Sequence, residues 1–294
     1  MKSKWIIVLV FSALCIFVAC SKNSSSDDST PPLPPGPVVD SSKCKLSEVT
    51  NPMDITMPYF RSNFFLLYDS LKRITFRGAG GELNVYTYEP GKITQRIYYN
   101  SVADSNLGYR IIYTLGINDR VVSHTQFAYF RPKSESDYIS YNRMDYEYNG
   151  EGYLTGLKLY TSGTTLSKES KFTYQDGNLA QRENTYYNFT TPVTKAGGDT
   201  LTYTYDNTPW IPEAAYLFEV GEYGDVRAGK PNKNNVTGIQ CKIYEGNNPN
   251  RNSFKSIQYS YSLKGPKLER VNMIATTTKG ATINNGFGFK YVCN

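Results

Sequence analysis

The stretch MDYEYNGEGYLTGLKLY, residues 144–160, constrains the chain more than any other, because its two halves alternate and its centre turns. Tyr146 and Tyr148 share one face and Asp145 and Glu147 the other, since successive side chains of a strand point to opposite sides. Asn149 and Gly150 are residues that accept positive φ, so the stretch predicts a tight hairpin. Variants of the unit recur at residues 64–76, 83–99, 109–129, 171–187, 201–209 and 256–271, and a last strand is expected at 287–294. The tyrosines at 68, 88, 113, 148, 174 and 205 stand 20, 25, 35, 26 and 31 residues apart. Such spacing, combined with hairpin turns, marks a repeated supersecondary unit whose outer loops differ in length.

The expected fold is all-β: a large antiparallel meander of repeated hairpins, either a strongly curved sheet or a barrel-like body. Consecutive hairpins place neighbouring strands antiparallel. Ten or more of them curl, split or close, because wide flat sheets are unfavourable and free edges are hazardous. Composition agrees, with 26 tyrosines against 5 methionines. Tyrosine favours strands and joins an apolar ring to a hydroxyl that suits a partly wet surface.

Residues 1–19 read as a signal peptide, with Lys2 and Lys4 ahead of an apolar run that is too short to span a bilayer. Phe17-Val18-Ala19-Cys20 resembles a bacterial lipobox, which makes Cys20 the lipidation site and the membrane the first partner. The Ser/Asp/Pro-rich residues 21–43 cannot bury enough apolar surface to offset chain entropy, so 20–43 is expected to be a disordered tether. As a coil, residues 21–43 span roughly 25–30 Å. Ser21 points to outer-membrane sorting in a Gram-negative cell, on either the periplasmic or the surface-exposed side. Residues 44–294 then form a single β domain.

YEYNGEGYLTG, FTYQDGNLAQR and YTYDN resemble degenerate YD repeats of the RHS type. Together with the lipobox, the acidic-serine tether and the CKLSEV opening, they resemble a family of Gram-negative lipoproteins of unknown function with a porin-like β fold. That family brings no known catalytic residues to this sequence.

One segment departs from the β texture. In residues 207–235, Pro212, Glu213 and Gly221 are helix boundary signals, and Ala214, Leu217 and Phe218 form one apolar face, so a short helix is expected near 212–220. Its role is to cap or plug the sheet, with Trp210 as an anchor. Trp210 and Tyr223 are also the candidate ligand contacts, because they break the repeat and are of the types that dominate binding hot spots.

Most chemistry is excluded by what is missing. His124 is the single histidine, no G-x-S-x-G surrounds any serine, and His124 reads as an ordinary sheet residue. No C-x-x-C or calcium-loop pattern exists, so no metal and no cofactor is expected. GAGGE at 78–82 reads as a turn rather than a phosphate cradle. Glu147, Glu219, Glu222 and Asp225 are the carboxylates a hidden hydrolase would draw on. Cys241 and Cys293 share faces with apolar residues and read as core-facing, and one bridge among Cys44, Cys241 and Cys293 fits an oxidising compartment without a choice of pair. The formal charge of +6 is scattered rather than gathered into a stripe, so no nucleic-acid partner is expected.

The expected protein is therefore not an enzyme. It is a membrane-anchored extracytoplasmic lipoprotein that binds a glycan, peptide or protein partner, or serves a structural role. The alternatives are a carrier of an apolar ligand inside the barrel, or a hydrolase with a carboxylate site. Strands such as SIQYSYS (256–262) put Ile and Tyr on one face and Ser and Gln on the other, which suits a water-soluble body with a tyrosine-rich interior.

Overall fold

The computed structural model describes residues 44–50, 64–71, 73–79, 81–103, 107–129, 138–188, 193–212, 229–243 and 254–293. The signal peptide, Cys20 and the tether lie outside the described residues, as do most of the expected helix and Tyr223, Glu219, Glu222 and Asp225. Asp40–Asn294 forms one compact unit.

The alternating runs become strands where the sequence places them. The first eight are β1 (Cys44–Thr50), β2 (Phe64–Tyr68), β3 (Ile74–Ala79), β4 (Glu82–Glu89), β5 (Lys92–Tyr99), β6 (Leu107–Leu115), β7 (Val121–Tyr129) and β8 (Tyr138–Tyr148). The second eight are β9 (Leu154–Thr161), β10 (Thr165–Gln175), β11 (Asn178–Asn188), β12 (Thr194–Pro209), β13 (Asn234–Ile243), β14 (Phe254–Lys264), β15 (Lys267–Thr277) and β16 (Thr282–Cys293). Each pairs antiparallel with its sequence neighbours, and β1 pairs with β16, so the sheet closes into a 16-strand barrel. Of the two expected forms, curved sheet or closed body, the chain adopts the closed one.

The founding hairpin is β8–β9. Tyr146 is buried while Glu147 faces outward to Lys158, as the alternation requires. The turn itself differs from expectation: positive φ falls on Gly152 (+93°), not on Asn149 or Gly150. Asn149 instead closes the loop, its side-chain oxygen accepting the Tyr153 N–H at 2.9 Å while its own N–H donates to the Tyr153 carbonyl. A five-residue connection needs one left-handed position near its end, whereas a two-residue turn would need both at its centre.

The interior is filled by side chains gathered in two clusters. One draws on β1, β2 and β13–β16, with Val236, Leu268, Val271, Met273 and Phe287 almost fully buried. The other draws on β5–β11, with Met144, Leu154, Leu157 and Leu179 at its centre. Tyr203 of β12 packs against both. Polar inward residues sit between them: Arg77 of β3 and Asn84 of β4 on one side, Arg182 and Asn184 of β11 on the other.

The outer wall carries ion pairs on several strands. Glu147 pairs with Lys158 at 2.7 Å, Arg143 with Asp145 at 3.2 Å and Glu48 with Lys290 at 3.0 Å. Beside β2–β3 the wall is apolar instead: Phe65 stacks on Phe76 with centroids 5.5 Å apart. The Phe65 ring lies over Gly78, where an added Cβ would collide with it.

The bridge joins Cys44 to Cys293 across the closing strand pair, 249 residues apart in sequence. Cys293 was expected in the core and is instead exposed, because it lies beyond Tyr291, the last inward residue of β16 that packs against the interior. Cys241 is the free thiol and points inward opposite Leu201. Burial, and secondarily Asp199, pushes its pKa up to about 11. Replacing Cys44 and Cys293 together with alanine is expected to lower stability by about 3–5 kcal/mol, since a long closed loop loses its constraint on the unfolded chain. A urea midpoint equal to that of the parent protein would show that the β1–β16 ladder closes the barrel unaided.

Candidate functional site at the disulfide end

In an antiparallel meander the connections alternate between ends. Cys44, Cys293 and the β2–β3, β4–β5, β6–β7, β8–β9, β10–β11, β12–β13 and β14–β15 connections all lie at one end. The repeat tyrosines line it, and their hydroxyls share one task. Tyr88 donates to the Ile74 carbonyl at 2.8 Å, Tyr148 to Val121 at 2.6 Å and Tyr205 to Leu179 at 2.8 Å, and Tyr261 donates to Val236 in the same way.

The geometry is identical in all four cases. The last ladder pairs at this end are Phe76–Val85, Ser123–Asp145, Gln181–Thr202 and Gly238–Gln258. The acceptor carbonyl lies two residues before that pair and the tyrosine three residues after it. The two strands have parted there, and a buried carbonyl left without a donor costs about 1–3 kcal/mol. Tyrosine is the residue whose ring fills the interior and whose hydroxyl reaches across the gap. Tyr68, Tyr174 and Tyr291 occupy the same register position relative to the pairs Glu48–Phe65, Lys171–Gly156 and Arg270–Gly288. β6 is the exception among the even strands. Its ladder to β5 continues to Lys92–Thr114, and Tyr113 donates instead to Gln95 Oε1 at 2.7 Å.

Cations lie over these rings. The Arg73 guanidinium stands 4.3 Å from the Tyr88 centroid and Arg120 5.8 Å from Tyr148. Lys45 lies 5.5 Å from Tyr68, Lys267 5.2 Å from Tyr291 and Lys230 4.7 Å from Tyr153. Burial raises the pKa of Tyr174, Tyr205 and Tyr261 far above the ordinary 10.0, so their hydroxyls stay protonated as donors.

The described flanks of the Trp210 segment, 207–212 and 229–235, meet the turns of this end. Trp210 is half-buried against the first core cluster, and its N–H donates to the Lys233 carbonyl at 2.9 Å. The backbone N–H groups of Lys230 and Lys233 donate to the carbonyls of Gly152 and Gly177, and the Asn232 side-chain oxygen accepts from the Leu179 N–H at 2.9 Å. Asn235 accepts from the Ile211 N–H and donates to Thr208 Oγ1 and the Pro209 carbonyl. The flanks of the segment thus staple the β8–β9 and β10–β11 turns together, while the expected capping helix lies outside the described residues. Tyr223 cannot be placed beside Trp210, since it lies outside the described residues.

Sequence reasoning missed the interior polar groups. His124 is buried with Nδ1 2.9 Å from the Tyr146 hydroxyl, and its ring meets Tyr113 edge-on at 5.3 Å. Asp199 accepts from Asn184 Nδ2 at 2.6 Å and from the Tyr186 hydroxyl at 2.8 Å, and Asn184 Oδ1 accepts from Ser170 and Arg182. Asn184 and Arg182 stand two apart on β11, so polar residues recurring on an inward face were the available signal. Among the described residues no group of three His, Cys, Asp or Glu side chains is placed to hold a metal ion. Glu147, one of the carboxylates considered for hydrolysis, faces outward to Lys158.

This closed antiparallel barrel has solved relatives by fold. It is similar to a porin-like protein from Bacteroides vulgatus ATCC 8482, at 13% identity over 84% of this chain and 98% of that one, with a TM-score of 0.54. It is also similar to a porin-like protein from Bacteroides uniformis ATCC 8492, at 11% identity over 84% and 97%, with a TM-score of 0.51. At such identities the likeness is one of fold. No known family model and no curated protein matches the sequence.

Tyr205→Phe is expected to cost about 1–2 kcal/mol by leaving the Leu179 carbonyl without its donor. It should also flatten the alkaline limb of stability. The raised folded pKa means that stability is intact below the ordinary 10.0 and is lost as pH rises above it, and the variant removes one such group. Thermal melts from pH 8 to pH 11 read both effects. Trp210→Ala should cost about 3 kcal/mol if the ring is a packing anchor.

Proposed function

We propose that this protein is a water-soluble β-barrel lipoprotein, held by acylated Cys20 at the outer membrane of a Gram-negative bacterium, and that it acts there as a binding or structural protein rather than a pore or an enzyme. The observation that carries the reading is the polarity of the wall. Membrane barrels present an apolar band outward and a polar lumen inward. Here Leu, Met, Phe and Tyr fill the inside while charged pairs such as Glu147–Lys158 stand on the outside. Each Lys or Arg facing lipid near the midplane costs about 2–4 kcal/mol, so a bilayer around this wall would be strongly unfavourable.

The lipobox at Cys20 and the resemblance to lipoproteins with YD-type repeats support anchoring, and the Cys44–Cys293 bridge supports an oxidising compartment. The carrier reading loses ground, because inward residues from Leu154 to Met273 are packed to near-zero exposure and fill the space a ligand would need. Partners of glycan, peptide or protein chemistry fit an exposed surface, with Trp210 and Tyr223 as the contacts proposed from sequence.

Protein truncated to Ser41–Asn294 is expected to be soluble without detergent and to give no conductance in planar bilayers. Cys20→Ser in the full chain is expected to move the protein from the membrane to the soluble fraction. Aggregation reversed only by detergent, or stepwise conductance, would overturn the water-soluble reading, and an unacylated N-terminus would overturn the anchor.

A further inference from the structure

The rim around the Cys44–Cys293 bridge carries exposed aliphatic side chains among lysines. Going around the barrel it comprises the β14–β15 hairpin, the β16–β1 closure and the β2–β3 hairpin, which are consecutive neighbours. Large aliphatic side chains stand out here instead of packing: Leu71 is 69% exposed, Leu263 54%, Val292 55% and Leu67 55%. Leu71 and Leu263 sit at or beside hairpin tips, and Val292 lies opposite Lys45 in the closing ladder.

The charges of this sector are mostly basic. Asp69 pairs with Arg73 at 2.7 Å and Glu48 with Lys290 at 3.0 Å. Among the described residues of the sector that leaves Glu269 against Lys45, Lys264 and Lys267. The rest of the same end mixes both signs, with Glu151, Asp176 and Asp206 near Arg120, Lys230 and Lys233.

We infer that this rim, with Leu71, Leu263 and Val292 set among Lys45, Lys264 and Lys267, is a docking surface for an anionic phospholipid bilayer. Aliphatic tips enter the interfacial region, while lysines meet the headgroup phosphates within a Debye length. The inference rests on the proposed anchor at Cys20 for its geometry. The chain enters the barrel at Cys44, in the middle of this sector, and residues 21–43, whose composition predicts a coil of roughly 25–30 Å, are all that separates it from Cys20. Such a linker holds the rim near the surface at high effective concentration, so weak contacts suffice to orient the barrel with this end down. The far end, with its connections such as 100–103, then faces away from the membrane.

Both parts of the test use folded protein, since all sixteen strands, both core clusters and the closing bridge lie within residues 44–293. Ser41–Asn294 lacks Cys20, so its binding to vesicles is independent of acylation and the Cys20→Ser assay tests the anchor separately. It is expected to float with vesicles rich in phosphatidylglycerol and much less with phosphatidylcholine alone. Leu71→Glu combined with Leu263→Glu should weaken flotation by about tenfold or more, whereas Val102→Glu at the far end should not. In the full anchored chain, emission from Leu71→Trp should be quenched by brominated phospholipid and that from Val102→Trp should not. Indifference to both vesicle types, binding that survives the double substitution, or equal quenching at positions 71 and 102 would each overturn the inference.

Discussion

Everything in this barrel depends on the pairing of β1 with β16. A meander has two edges, and each edge leaves a row of backbone donors and acceptors open to other chains. Six residue pairs from Cys44–Cys293 to Thr50–Gly288 remove both edges at once. Only after that closure does the inward face of every strand become an interior, and only then do the two core clusters have opposing walls. The bridge ties the first described residue of the barrel to the last, so the ladder with the greatest sequence separation is also the one held covalently.

Closure imposes curvature, and the tyrosines answer its consequence. Register shifts fall immediately before Tyr68, Tyr148, Tyr174 and Tyr205, at the end of the barrel where the hairpins turn. Bulges increase local twist and bend the strand that carries them. Beyond them the strand on the other side has parted, and the carbonyls of Ile74, Val121, Leu179 and Val236 would face the interior unpaired. A phenylalanine would fill the same volume without a donor. The sequence repeat is therefore the trace of a geometric repeat: one tyrosine for each place where an even strand leaves the odd strand before it.

The fold is shared with porin-like proteins, but topology says nothing of which side of a wall meets lipid. Side-chain polarity bears on that: Met144, Leu154 and Phe287 are buried inside, Glu147–Lys158 and Glu48–Lys290 stand outside, and Phe65 stacks on Phe76 on the outer wall beside β2–β3. Around the disulfide end, one sector has the backbone of Trp210, Lys230 and Lys233 bonded to neighbouring chain and turns, and another carries exposed aliphatics among lysines where the chain enters the barrel.

Strand alternation, hairpin positions and the all-β class were legible in the sequence because they are local. Tyr146 against Glu147 needs only a pleat, and Leu154–Thr161 needs only its own apolar period. Closure was not, because it depends on the summed stagger of sixteen ladders, to which no single hairpin testifies. Nor was the choice of Cys44 with Cys293, which follows from that closure alone. Tyr113 looked like every other repeat tyrosine, yet its ladder runs on and its hydroxyl turns to Gln95. His124 read as an ordinary strand residue, since its burial and its contact with Tyr146 come from a neighbouring strand. Sequence by itself determined the pleat, the turns and the tyrosine spacing. The tertiary structure alone decided which carbonyls those tyrosines serve and which face of the wall is inside, because both depend on contacts between strands that only closure brings together.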